Sequence, residues 1–176
     1  MSDELFAGLT PSELELLKAR AARYAKATAE AAHDMLESVI FTRGSGRYGV
    51  VLSVLREIRP LQSVCLLPGA SPVVPGVLYY RAELLSVHDL SAFMNPGARA
   101  AMKPAPWVLI VEHEGERLGL LADAVVEIRS ILTADVRPLP ITLGDRSSCF
   151  KGVLEDGLLL LHAPPLFSNP HFFNAF

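Results

Sequence analysis

Cysteine is scarce in this chain: Cys65 and Cys149 are the only two in 176 residues. They lie far apart and match no metal-ligating or redox spacing, so they offer neither a thiolate metal centre nor a dithiol pair. Each is expected to be a small buried hydrophobe, kept reduced in a cytoplasmic protein. Long apolar runs are missing too. WVLIV at 107–111 and LLLL at 158–161 are strand-length, far short of the roughly 18–20 residues of a membrane span. The opening MSDELFAGL is acidic and lacks the charged-then-apolar plan of a signal peptide. Net charge is low, −3 from 16 Lys and Arg against 19 Asp and Glu. Arg20, Arg23 and Lys26 are interleaved with Glu15, Glu30 and Asp34, so no basic patch invites a nucleic acid or an anionic membrane.

Catalytic and cofactor signatures are also wanting. There is no G-x-S-x-G elbow and no Walker sequence, and GSGRYG at 44–49 has neither the spacing nor the following helix of a phosphate loop. His88 and Asp89 are adjacent, so on a strand they point to opposite faces. His113 sits beside the Glu114-Gly115 turn, and none of the three has metal-ligand spacing. The expectation is a protein that binds other proteins, with no enzyme activity, cofactor or metal.

What is present divides into two kinds of sequence. Thr10-Pro11-Ser12-Glu13 is a helix start: a hydroxyl cap, Pro at the first helical position, and Glu three residues after the cap. From there to about Ser38 the chain has no Gly or Pro. Leu14, Leu17, Ala21, Tyr24, Thr28, Ala31 and Met35 fall on one helical stripe. This predicts an N-terminal helical extension, residues 1–37, which either lies on its own domain or pairs with a partner helix.

Beyond it, short apolar runs punctuated by Gly, Pro, Asn and Asp recur to about residue 162, at 54–58, 77–80, 84–88, 107–112, 118–126, 128–132, 150–154 and 158–161. The pattern is that of an all-β protein of small barrels. Pro104 and Pro106 divide it into halves, each opening with a predicted hairpin: 39–53 turning at Gly44-Ser45-Gly46, and 107–122 turning at Glu114-Gly115-Glu116. Two small barrels sharing a core fit this plan. The tail, 168–176, carries Phe172, Phe173 and Phe176. It is expected to tuck against the N-terminal helix or a barrel edge, with a partner-binding hook as the alternative.

The β region, roughly 38–167, resembles the CheW family, the coupling proteins of bacterial chemosensory arrays. The family pattern runs v-x-E-I, then L-P, then G-v-x-N-L-R-G-x-i-x-P-v-x-D-L. Here the corresponding stretches are Val54-Leu55-Arg56-Glu57-Ile58, Leu67-Pro68, and Gly76 to Leu90, with Arg81 and Asp89-Leu90 at the family spacing. Gly119-Leu120-Leu121-Ala122-Asp123-Ala124-Val125 looks like the family's G-l-l-V-D-x-V, and Lys151-Gly152-Val153 with Asp156-Gly157 like its closing hairpin.

The resemblance implies two five-stranded β-barrels sharing a core, and a non-enzymatic adaptor. Such an adaptor bridges the cytoplasmic tip of a chemoreceptor to the regulatory domain of a CheA-type histidine kinase. It also implies that Arg81 stands by the receptor-binding groove with Glu57 as its pairing partner; Tyr79 and Glu83 complete the expected partner-binding set. On a continuous strand, Tyr79 and Arg81 share the exposed face, while Leu78, Tyr80 and Ala82 face the core. Departures stand out: Tyr79-Tyr80 for Asn-Leu, Ala82 for Gly, Ser86 for Pro, and His162 with Pro164-Pro165 where many members have Asp. They suggest a divergent member with a different receptor or kinase, or one that has lost kinase coupling and binds another partner.

Overall fold

The computed structural model describes residue 20 and residues 34–96, 104–139 and 141–173. The chain divides into two units, Met1–Met35 and Leu36–Phe176. The predicted N-terminal helix lies outside the described residues except at Arg20, which is helical, and at its far end. There the expectation is corrected: the chain is already β-strand from Met35 onward, because Val39-Ile40-Phe41 behind it belongs to a strand with a buried face.

The second unit is mainly β. Its strands are β1 (Met35–Arg43), β2 (Gly46–Val51), β3 (Leu55–Pro60), β4 (Cys65–Leu66), β5 (Gly76–Tyr80), β6 (Glu83–His88), β7 (Trp107–His113), β8 (Glu116–Ala122), β9 (Ala124–Leu132), β10 (Phe150–Val153) and β11 (Leu159–Leu161). Three short helices, α1 (Leu90–Met94), α2 (Ala163–Ser168) and α3 (Pro170–Phe173), accompany them. One sheet has the order β10-β11-β2-β1-β9, the other β3-β7-β8-β6-β5-β4. Both are mixed, through the parallel pairs β11 with β2 and β6 with β8.

Both predicted hairpins form. β1 and β2 pair from Ser38 opposite Val51 to Arg43 opposite Gly46, and β7 and β8 from Trp107 opposite Ala122 to His113 opposite Glu116. Their turns sit where small residues allow positive φ, as at Gly44 and Gly115.

Buried residues form three clusters. Leu78, Tyr80, Leu85, Val87, Val108, Ile110 and Leu121 come from the second sheet alone. Ile40, Ile131, Leu158 and Leu160 come from the first. The largest cluster draws on both sheets, with Phe41, Tyr48 and Val50 from one and Leu109, Leu118 and Leu120 from the other. Phe93 of α1 and Phe172 of α3 close it.

A buried ion network joins the same parts. Arg43, at the end of β1, is 2% exposed. Its Nε donates to Asp89 Oδ2 at 3.1 Å and its Nη1 to Asp123 Oδ1 at 2.7 Å. Asp89 also caps α1, accepting from the Ser91 N–H at 2.9 Å. Asp123 takes the Gly44 N–H at 2.7 Å.

The aromatic tail docks on this body as far as Phe173, with Phe176 outside the described residues. Phe172 is fully buried and stacks on His88 with ring centroids 4.3 Å apart. His88 and Asp89 therefore work in opposite directions, one toward the tail and one toward Arg43. Cys149 is buried as expected, but Cys65 is exposed, a correction. The two-residue β4 sits at the edge of its sheet, where nothing further covers it among the described residues.

Candidate partner-binding surface

Two residues, Arg81 and Ala82, connect β5 to β6, with Tyr80 opposite Glu83. Closing a hairpin in two residues through a type I′ turn demands positive φ at both, a conformation that L side chains resist. The chain meets the demand without glycine: φ is 47° at Arg81 and 69° at Ala82. The continuous strand expected through Ala82 is thus corrected. Alternation holds as far as Tyr80, with Leu78 and Tyr80 buried and Tyr79 exposed, and then the chain reverses.

The turn holds Arg81 out. Its side chain is 74% exposed, yet it is oriented on two sides. Nη2 donates to Glu57 Oε2 at 3.2 Å, and the guanidinium lies 5.1 Å from the centre of the Tyr80 ring. The aromatic partner is Tyr80, not the expected Tyr79. The Tyr80 hydroxyl donates to the same Glu57 oxygen at 2.9 Å. Burial pushes that hydroxyl's pKa up, and the bond to the Glu57 carboxylate adds to the effect. One carboxylate of β3 therefore fixes both a buried tyrosine and an exposed arginine across the end of the sheet.

Tyr79 and Glu83 stand apart from this trio. Tyr79 pairs across the hairpin with Leu84, and the two are 69% and 70% exposed. They form an apolar pair on the outer face. Glu83 receives Arg117 Nη1 at 3.2 Å. Arg117 also donates through Nε to Glu112, which accepts from Arg56 Nη2 at 3.0 Å. These hydrogen bonds from Arg117, and then from Arg56, hold the Glu112 carboxyl below its ordinary range. The sequence-predicted residues thus fall into three groups about the β5–β6 hairpin: Glu57 with Arg81 at its turn, Tyr79 with Leu84 on one face, and Glu83 with Arg117, opposite Tyr80 in register.

Sequence reasoning missed Tyr80, Leu84, Arg117 and Glu112 here. Leu84 was within reach, because a two-residue turn at Arg81-Ala82 fixes Tyr79 opposite it. The Glu112–Arg117 pair follows equally from the register of the β7–β8 hairpin. The surface is suited to recognition: a fixed guanidinium can hold a carboxylate with two hydrogen bonds, and an apolar pair lies on the same hairpin. Among the described residues no cluster could hold a metal ion.

A family model described as CheW-like domain matches residues 37–170. The chain is 33% identical over 120 residues to the chemotaxis protein CheW of Rhizobium meliloti (strain 1021), covering 67% of this chain and 76% of that protein. It is 29% identical over 116 residues to protein FrzA of Myxococcus xanthus, covering 66% and 72%. Among solved structures, the scaffolding protein TtCheW from Thermoanaerobacter tengcongensis superposes with a TM-score of 0.61 at 23% identity. That match covers 72% of this chain and 88% of the other, and at such identity it speaks for the fold.

Proposed function

The chain belongs to the CheW-like family, whose members are scaffolding adaptors of chemosensory signalling and not enzymes, and from that footing we propose that it couples a chemoreceptor to a CheA-type histidine kinase. In this reading the protein works in the cytoplasm, receives the helical tip of the receptor beside Arg81, and binds the kinase's regulatory domain through the ends of its barrels. Residues 38–167 are the coupling domain, 1–37 a helical extension and 168–176 a tail. The two sheets are read as the two barrels of the family, which the separate clusters within each sheet and the shared cluster between them support.

One observation carries the assignment of the surface. Arg81 is exposed, strained into a left-handed turn, and oriented in advance by Glu57 and Tyr80. A merely structural surface pair, worth about 0–1 kcal/mol, gives no reason to keep a non-glycine turn there. An interface residue does, because orientation before binding removes part of the ordering cost.

The test is titration of Arg81→Ala and Arg81→Glu against the native receptor fragment and the kinase regulatory domain, with thermal melts alongside. Arg81→Ala is expected to weaken binding by about 2 kcal/mol or more, roughly 30-fold, while folding stability changes by less than about 1 kcal/mol. Arg81→Glu is expected to weaken it further, since it sets a second carboxylate beside Glu57. Unchanged affinity of a folded Arg81→Glu for both partners overturns the assignment.

A further inference from the structure

β9 is the last strand of its sheet, and no described strand lies on its other side. It is nine residues long, and Val126, Ile128 and Leu132 are exposed along it. A long edge strand with aliphatic side chains is a template for pairing with another chain, and soluble proteins usually blunt such edges with lysine, proline or a bulge. Residues 124–132 contain neither lysine nor proline.

The order of residues along β9 selects the partner. Its centre reads Val126-Glu127-Ile128-Arg129-Ser130. Laid antiparallel against itself about a two-fold axis through Ile128, the strand sets Ile128 opposite Ile128 of the second copy. Glu127 then faces Arg129 twice, once on each side of the axis, on the same face of the pair. Val126 faces Ser130, and Ala124 faces Leu132. A shift of the register by two residues sets Arg129 opposite Arg129 or Glu127 opposite Glu127 instead, so the charges choose one pairing. Within one copy, Arg129 already reaches Glu127 Oε1 through Nε at 3.1 Å and Asp156 Oδ2 through Nη1 at 2.8 Å. A guanidinium has five N–H groups; these two bonds, with a third from Nη2 to Glu127 Oε1 at 2.6 Å, use three. Two are left for a carboxylate arriving from the facing strand.

We propose that β9 is a self-association edge: two copies of this chain pair antiparallel through Ala124–Leu132, centred on Ile128. This goes beyond the adaptor reading and needs none of its partners. An edge pair buries little area, so the dimer belongs to the weak, reversible class.

The experiment is sedimentation equilibrium of the full chain up to about 1 mM, well above the dissociation constants of weak pairs, on the native protein and on Glu127→Arg and Arg129→Glu. Melts establish that each variant is folded. The native protein is expected to show a reversible monomer–dimer equilibrium. Each single variant faces like charges across the axis and is expected to weaken the dimer at least tenfold. An equimolar mixture of the two variants restores both pairs, and is expected to form a heterodimer at least as tight as the native dimer. Arg129→Glu also loses the Asp156 bond; Ile128→Lys, at a side chain already 69% exposed, tests the same axis with that bond intact and is expected to abolish the dimer. A native protein that stays monomeric overturns the proposal. So does a dimer unaffected by Ile128→Lys, or a mixture that associates no better than its components.

Discussion

Arg43 and His88 are buried polar side chains satisfied in different ways, and each leaves its own mark on stability. Arg43 has Asp89 and Asp123 against it. A buried pair that loses one member leaves an uncompensated charge, so Arg43→Ala is expected to cost about 3–5 kcal/mol, measured by chemical denaturation. Burial pushes the Asp89 carboxyl up, but hydrogen bonds from Arg43 and Ser91 outweigh it and hold the carboxyl below its ordinary range. A depressed carboxylate stabilises the fold at all pH values above its unfolded pKa near 4, and that stability is lost as pH falls through the lower folded value. His88 behaves oppositely. Its Nδ1 meets the Phe172 carbonyl at 3.1 Å and must carry the proton, which leaves Nε2 to accept from the Ser86 hydroxyl at 2.8 Å. Burial pushes its pKa down to about 4 despite the bond to Phe172. The unfolded chain, with an ordinary value near 6.5, takes up the proton first. Stability is therefore expected to fall as pH drops from about 6.5 toward 4, by on the order of 3 kcal/mol. His88→Gln should flatten most of that slope in a series of denaturation curves. A residual slope is expected from His162, which burial also pushes down. An undiminished slope in the variant would assign the effect elsewhere. Neither role was legible in the sequence, which treated His88 and Asp89 as neighbours and asked whether they share a ligand. Their true partners lie 84 and 46 positions away, and separations of that size leave no local pattern.

Turns were the most legible elements, because their chemistry is local. Gly44-Ser45 and Glu114-Gly115 announced the two hairpins that form. The β5–β6 turn was harder to read. With Arg81 and Ala82 in place of a glycine-containing pair, nothing in composition marked a reversal, and period-two alternation carried the reading two residues too far. The cost of that choice is measurable. A non-glycine residue in the left-handed region is disfavoured by roughly 1–2 kcal/mol, so Ala82→Gly, at φ 69°, is expected to raise stability by about 1 kcal/mol, less the added entropy of the unfolded chain. A melting temperature that rises by a few degrees checks it; a fall would mean that the methyl group makes a compensating contact. The tail illustrates the reverse case. Three Phe residues near the end signalled a docking segment, but not the helices that deliver Phe172 and Phe173. α2 begins at Ala163 with prolines in its first turn, and Asn169 then caps the step into α3 through its side chain to the His171 N–H at 2.9 Å. Phe172 so delivered lies against His88 and Phe93. Phe172→Ala is expected to cost about 3–5 kcal/mol.

At the largest scale, the unit Leu36–Phe176 is held at the junction of its two sheets. Composition and punctuation made an all-β domain of two halves legible, since each short run between turns can bury only one face. The sheets do not follow that halving, however. β10 and β11, from the end of the chain, join β1 and β2 from its beginning, and the parallel contacts that achieve this leave no turn signature in the sequence. The first sheet therefore joins strands from both ends of the unit and is complete only with β11, while the second is built wholly from residues 55–122. The largest buried cluster draws on both sheets, and Arg43, Asp89 and Asp123 bind the same junction with charge. Such a body is expected to open as one unit, with no state in which one sheet survives the other. Native-state hydrogen exchange can test this residue by residue. Protected amides of β2 in the first sheet and β8 in the second should report the same opening free energy. Leu118→Ala removes a fully buried side chain from the shared cluster, and should lower both values together by about 2–5 kcal/mol. If only the β8 amides respond while β2 keeps its protection, the sheets are separate cooperative units, and the junction joins two bodies that fold independently.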